Sequence, residues 1–234
     1  MKKLLLVVVS LAACAFPAAA DTNLNDDFGK HYGPGSNIRA YNQDIINLIG
    51  MADFHSGNAP SFPGFDVGAS FNVIKTAHDN NISSEDYMAS GFLSAQTKLP
   101  VIGLGAVVRG THFNGLESIG AGLTYSTNVI EFLNITVGGF YDHASTDYYS
   151  LNHYSLSASA STTLLIFTPY IGAGYDHGDF STRHFGADDR STHDGAMRYT
   201  AGVNVKVLPF IYVFGAYTKT QGNGSFNGGV GVHF

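Results

Sequence analysis

The chain has no tryptophan and one cysteine in 234 residues, and only 13% of its residues are charged. That charge content is about half of the roughly 25% usual for soluble domains. A single cysteine excludes an intrachain disulfide framework. Few charges leave a water-soluble surface poorly served. The formal net charge of -6 argues against a nucleic-acid partner, which shows itself as a basic patch. No apolar run reaches the roughly 20 residues of a spanning helix, so a helical membrane anchor is not expected. Gly103, Gly105 and Gly110 form no phosphate-binding fingerprint, and no cofactor is expected.

What is present begins with a leader. Lys2 and Lys3 precede an apolar run from Leu4 to Ala13, and Ala18, Ala19 and Ala20 precede Asp21. This layout predicts a secretory signal peptide over residues 1–20. Leu11-Ala12-Ala13-Cys14 resembles a lipobox, whose cysteine would be lipidated. Against it, Cys14 comes early and a well-formed Ala-rich site follows. Cleavage after Ala20 removes the cysteine and thiol chemistry with it.

From Gly64 onward the chain divides into segments of about ten residues with period-two polarity, the pattern of transmembrane β-strands. Phe65, Val67, Ala69, Phe71 and Val73 oppose Asp66, Ser70 and Asn72, while Met197, Tyr199, Ala201, Val203, Val205 and Val207 oppose Arg198, Thr200, Asn204 and Lys206. Further segments near 87–97, 101–111, 117–126, 131–143, 149–162, 167–176, 208–219 and the C-terminus bring the count to about ten, within a range of 8–12. Tyr87 to Thr97 is the least regular. Short connections (98–100, 127–130, 163–166, around Leu208-Pro209) alternate with polar ones (76–86, 112–116, 144–148, 177–195, 220–224), and this places both barrel termini on the side of the short turns. Pro100, Pro169 and Pro209 sit at strand starts, where a missing N–H is tolerated.

The last segment places Phe226, Val230, Val232 and Phe234 on one face and ends on Phe234. It resembles the assembly signal of Gram-negative outer-membrane β-barrels. The resemblance implies an outer-membrane location, with lipid and the barrel-assembly machinery as partners. The fold expectation is all-β: a transmembrane antiparallel β-barrel over 64–234, preceded by a plug or periplasmic segment over 21–63.

Within that segment Ile38, Tyr41, Ile45, Leu48 and Ile49 recur at helical spacing, with Ser36 as N-cap and Gly50 as stop. The helix could plug the barrel from the periplasmic side, lie on the membrane, or pack on the rim. A helix-bearing segment before a barrel is similar to the long-chain fatty-acid transporter superfamily. That family's Asn-Pro-Ala turn is replaced by Asn58-Ala59-Pro60 here, so no site residues are carried over.

The candidate lumen residues are Asp66, Arg109, Asp142, Asp176, Arg198 and Lys206. Isolated buried charges would cost several kcal/mol each, so pairing across the lumen is expected. His153 and Ser155 share a face, as a general base and nucleophile would, but they point inward and no orienting carboxylate can be assigned, so no catalytic residues are expected. The segment His177 to Gly195 holds His177, His184 and His193 among aspartates at no recognisable metal spacing, and no metal site is expected. The function expected is an outer-membrane pore or transport protein for a small-molecule solute. A non-conducting surface-interaction barrel is the alternative, and a lipid-modifying enzyme ranks third.

Overall fold

The computed structural model describes residues 23–54, 64–99, 104–130, 132–220 and 223–233. Two helices, α1 (Leu24–His31) and α2 (Ile38–Gly50), lead through a 3-10 turn (Met51–Phe54) to ten strands. These are β1 (Phe65–Lys75), β2 (Tyr87–Lys98), β3 (Leu104–Phe113), β4 (Leu116–Ile130), β5 (Leu133–Ser145), β6 (Tyr149–Thr162), β7 (Phe167–Thr182), β8 (Ser191–Leu208), β9 (Ile211–Thr220) and β10 (Asn223–His233). Every strand pairs antiparallel with its sequence neighbours, and β1 closes on β10 from Asp66↔His233 to Ile74↔Ser225. The closed sheet therefore has no free edge strand. The fold is a closed antiparallel ten-stranded barrel with a short helical segment on its N-terminal side.

The alternation decides which side of the wall each residue takes. On β6, Tyr154 and Leu156 point outward while Leu151, His153, Ser155, Ser157, Ser159 and Ser161 are buried inside. Phe65, Leu93, Val108, Ile119, Ile171, Tyr199 and Phe226 continue the outward apolar wall. The two ends of the barrel differ. One carries Val129, Ile130, Phe132, Leu164, Leu165, Phe167 and Phe210 at its turns, with Leu165 96% exposed; we call it the apolar rim. The other, the polar rim, carries the connections 76–86 and 183–190 and the two-residue turn Asn114-Gly115, whose φ angles of 53° and 74° suit a tight hairpin.

The strands run further toward the polar rim than the sequence pattern predicts. The expected loop from His177 to Gly195 is largely ladder, with His177↔Gly195, Asp179↔His193 and Ser181↔Ser191 paired. Its Asp, Gly and Ser content reads as a loop, but the hairpin partner supplies the hydrogen bonds that override that tendency. The expected connection 112–116 likewise shrinks to its Asn-Gly turn, and β2 spans the segment that is least regular in sequence.

The N-terminal segment fills the polar-rim half of the lumen. Its first helix escaped the sequence reading. In α1 the Asn23 side chain accepts from the N–H groups of Asn25 and Asp26, Asp26 and Asp27 lie in the first turn, and Lys30 and His31 in the last, each matching the helix dipole. In α2 the N-cap is Asn37, which accepts from Ala40 N at 3.2 Å, and not Ser36, whose Oγ accepts from Gly33 N instead. Gly50 does not stop the helix in the open but leads into the 3-10 turn.

The segment enters the lumen from the rim opposite the start of β1. Leu24 N donates to Asn114 O at 2.6 Å, Asn25 and Asp147 exchange hydrogen bonds, and Tyr32 Oη donates to Asp188 O, all at the polar rim. Packing supplies the reason. Inward positions at this rim are apolar (Met88, Phe92, Leu116, Tyr149, Leu151, Phe180), and they form one core with Leu24, Phe28, Tyr41, Ile45, Ile46, Leu48 and Ile49. Toward the apolar rim the lumen is lined largely by polar groups, Ser159, Ser161, Thr168, Ser126, Asn204 and Asp66, with Tyr170, Tyr212 and Phe214 among them, a less apolar surface for a helix to bury against.

Candidate functional site

Below α2 the chain delivers Asp53 to a ring of charges near the middle of the barrel. Arg109 on β3 grips Asp142 on β5 through Nε–Oδ1 (2.7 Å) and Nη2–Oδ2 (2.6 Å), a two-pronged bond that reaches across β4. It can do so because the intervening residue is Gly120, where an added Cβ would run into the Asp142 carboxylate. His153 on β6 faces Asp142 with Nδ1 at 2.9 Å and Asp176 on β7 with Nε2 at 3.1 Å. With both carboxylates ionised they only accept, and both ring nitrogens then donate, which makes the ring an imidazolium.

Arg198 on β8 lies 3.5 Å from Asp176 through Nη1 and donates through Nη2 to Asp53 at 2.7 Å. Arg109 Nη1 donates to the other Asp53 oxygen at 2.6 Å, and Ser155 Oγ also donates to Asp53. The ring thus runs Asp53, Arg109, Asp142, His153, Asp176, Arg198 and back to Asp53. Two arginines and an imidazolium balance three carboxylates. All these side chains are essentially inaccessible to solvent, where an unbalanced charge would be costly. The close seat of α2 depends on Gly50, since a Cβ there would meet both Arg198 and Asp176.

Of the six lumen residues read from the sequence, the barrel brings together Arg109, Asp142, Asp176 and Arg198. Asp66 is also buried, but near the apolar rim, where it accepts from Tyr212 Oη at 2.8 Å. Lys206 lies on the same strand face as Arg198 but is exposed near the apolar rim. Asp53 escaped the sequence reading because it lies off the strands, and the carboxylate partners of His153 escaped it because they come from neighbouring strands at matching height. The nucleophile–base geometry is not formed: both nitrogens of His153 are committed to aspartates, and Ser155 donates to Asp53.

His177, His193 and His184 do not converge. His177 pairs with Asp179 on the outer wall, His193 lies across the ladder from Asp179, and His184 bonds Asp147 O in the hairpin. Among the described residues no group of three or more His, Cys, Asp or Glu is placed to hold a metal ion. Of the C-terminal residues, Phe226 and Val230 face outward and exposed and Val232 is partly covered; Phe234 lies outside the described residues, as do residues 1–20 with Cys14.

Beside α2, at the polar rim, a cavity of about 240 Å³ is lined by Gln43, Asp44, Asn47, His78, Asp79 and Asn223, among others. Asp44 accepts from Ala77 N at 3.0 Å and Asn80 Nδ2 at 2.7 Å, yet burial outweighs these bonds and pushes its carboxyl up to about 6.

No family model matches the chain, and no curated protein matches it. Solved structures with a similar arrangement include the translocator domain of autotransporter NalP from Neisseria meningitidis (13% identity, 85% of this chain, 98% of that chain, TM-score 0.45). They also include the N-terminal β-barrel domain of Pseudomonas aeruginosa OprF (12%, 73%, 97%, 0.41) and the KdgM porin (12%, 72%, 99%, 0.41). At such identities the likeness concerns the fold alone, and the resemblance to fatty-acid transporters is not carried by it.

Proposed function

We propose that this chain is an outer-membrane pore for small solutes, held closed by its own N-terminal segment. The observation that carries the reading is a wall apolar outside and polar inside, whose lumen charges are completed by a residue of the plug. Strands of 10 to 18 residues meet or exceed the roughly 9–11 that a tilted strand needs to cross a bilayer. A purely structural barrel could fill its lumen with side chains from the wall; here the filling is a separate segment, joined at its inner end through Asp53. The partners in this reading are lipid, a small-molecule solute, and the assembly machinery reading Phe226, Val230, Val232 and Phe234.

A surface-interaction barrel is the second reading, favoured by the connection 183–190, exposed at most of its positions and anchored where Phe185 packs 4.5 Å from Tyr32. Planar-bilayer recording separates the two. Wild-type protein should be mostly silent, and Asp53→Ala, which frees the inner end of the plug, should give discrete conductance steps. Silence from both proteins would favour the surface role.

A further inference from the structure

We infer that Arg109, Arg198 and Ser155 form a binding site for a compact carboxylate, which Asp53 occupies in the closed barrel and a carboxylate-bearing solute occupies when α2 withdraws. Its physiological use rests on the pore reading above; its chemistry does not.

Three donors from three different strands converge on one carboxylate: Arg109 Nη1 from β3, Arg198 Nη2 from β8 and Ser155 Oγ from β6. That carboxylate belongs to the plug, not the wall. Both arginines keep contacts with the wall without it. Arg109 is fixed by its two bonds to Asp142 and lies 4.7 Å from the centroid of the Phe140 ring. Arg198 keeps its contact with Asp176, and His153 ties Asp142 to Asp176. Withdrawing Asp53 therefore leaves a preformed clamp of two guanidinium edges and a hydroxyl, a donor set matched to a planar carboxylate. The charge count specifies the ligand further. The wall alone holds two arginines and an imidazolium against Asp142 and Asp176, an excess of one positive charge, and one monoanion restores balance.

In the wild type Asp53 is a tethered competitor whose effective concentration a free solute must overcome. The test therefore removes it. Full-length Asp53→Ala protein is refolded in detergent, and the temperature at which its compact gel form converts to the unfolded one is measured in sodium formate, sodium acetate and sodium chloride at equal ionic strength. Formate supplies the carboxylate that the substitution deletes. We expect Asp53→Ala to convert at a lower temperature than wild type, and formate and acetate to restore at least half of the difference in a saturable way. Chloride should not, and wild type should not respond. Asp53→Asn fills the same space with a neutral amide and should be unresponsive to formate.

Equal recovery in chloride would reduce the effect to charge screening and overturn the site, as would a folded Asp53→Ala protein indifferent to formate. Should Asp53→Ala refold poorly, the yield is compared instead: a higher yield in formate than in chloride supports the site, and equal yields overturn it. The readout is stability, so a barrel that never conducts would remove the pore reading and leave the site standing.

Discussion

At the scale of single residues, the lumen ring behaves as one unit because each member is buried against two others. Asp142 is shared by Arg109 and His153, so Asp142→Ala strands two cations at once. Breaking a buried pair from one side costs about 3–5 kcal/mol, and a loss of that size is expected in urea unfolding in detergent. The double variant Arg109→Met, Asp142→Met should recover much of it, since an apolar replacement leaves no uncompensated charge; a double variant as unstable as the single one would show that volume, not charge, governs the site. Strand parity alone makes five ring members legible in the sequence as inward-facing, because residues two apart share a face. Parity does not give height along the barrel axis, which is why Asp66 and Lys206 carry the same inward sign yet lie away from the ring. Asp53 has no parity to read, being on a 3-10 turn.

At the scale of elements, α2 is tied to the wall along its length, through Arg39 and Gln43 to Asp194, Asn42 to Gly178 O and Asn72 to Leu48 O, and a carboxylate acts toward each end. Its inner end is fixed through Asp53, and its outer half rests on Asp44, which reaches Ala77 and Asn80 in the β1–β2 connection. Burial raises the Asp44 carboxyl from 3.8 to about 6. A group with a raised pKa in the docked state contributes stability fully below its undocked value and loses it as pH rises through the docked one. Docking of α2 should therefore be tightest near pH 4 and weaken toward neutrality, by on the order of 2–3 kcal/mol. Hydrogen exchange at the Ala77 amide measured from pH 4 to 8 and corrected for intrinsic rate checks this. Asp44→Asn should flatten the profile, and an unchanged slope would exonerate Asp44. The helix itself was legible in its apolar spacing, but its location was not. The overlooked signal lies in the strands: Ile74, Met88, Leu116, Leu151 and Phe180 are apolar at inward positions, a break in the alternation that marks where something apolar must be received.

At the scale of the whole molecule, the wall separates two environments one residue apart. Val203 faces outward and Asn204 is buried inside. If the outer face meets lipid near the bilayer midplane, Val203→Arg should cost about 2–4 kcal/mol in a folding titration into vesicles, with Asn204→Arg milder; equal costs would contradict the inside–outside assignment. This architecture was legible because period two is imposed by strand geometry everywhere, whereas the extent of the hairpins was not, since pairing beyond Asp176 depends on a partner strand and not on local composition. The threading of the chain carries a further consequence for order in time. The leading segment sits at the polar rim while β1 starts at the apolar rim, and the seam between β1 and β10 joins residues from opposite ends of the barrel sequence, the slowest kind of contact to form. Residues 23–54 are thus synthesised before any strand and sealed in by the last pairing, so weakening their grip on the early hairpins should delay closure of the seam more than it hastens its opening.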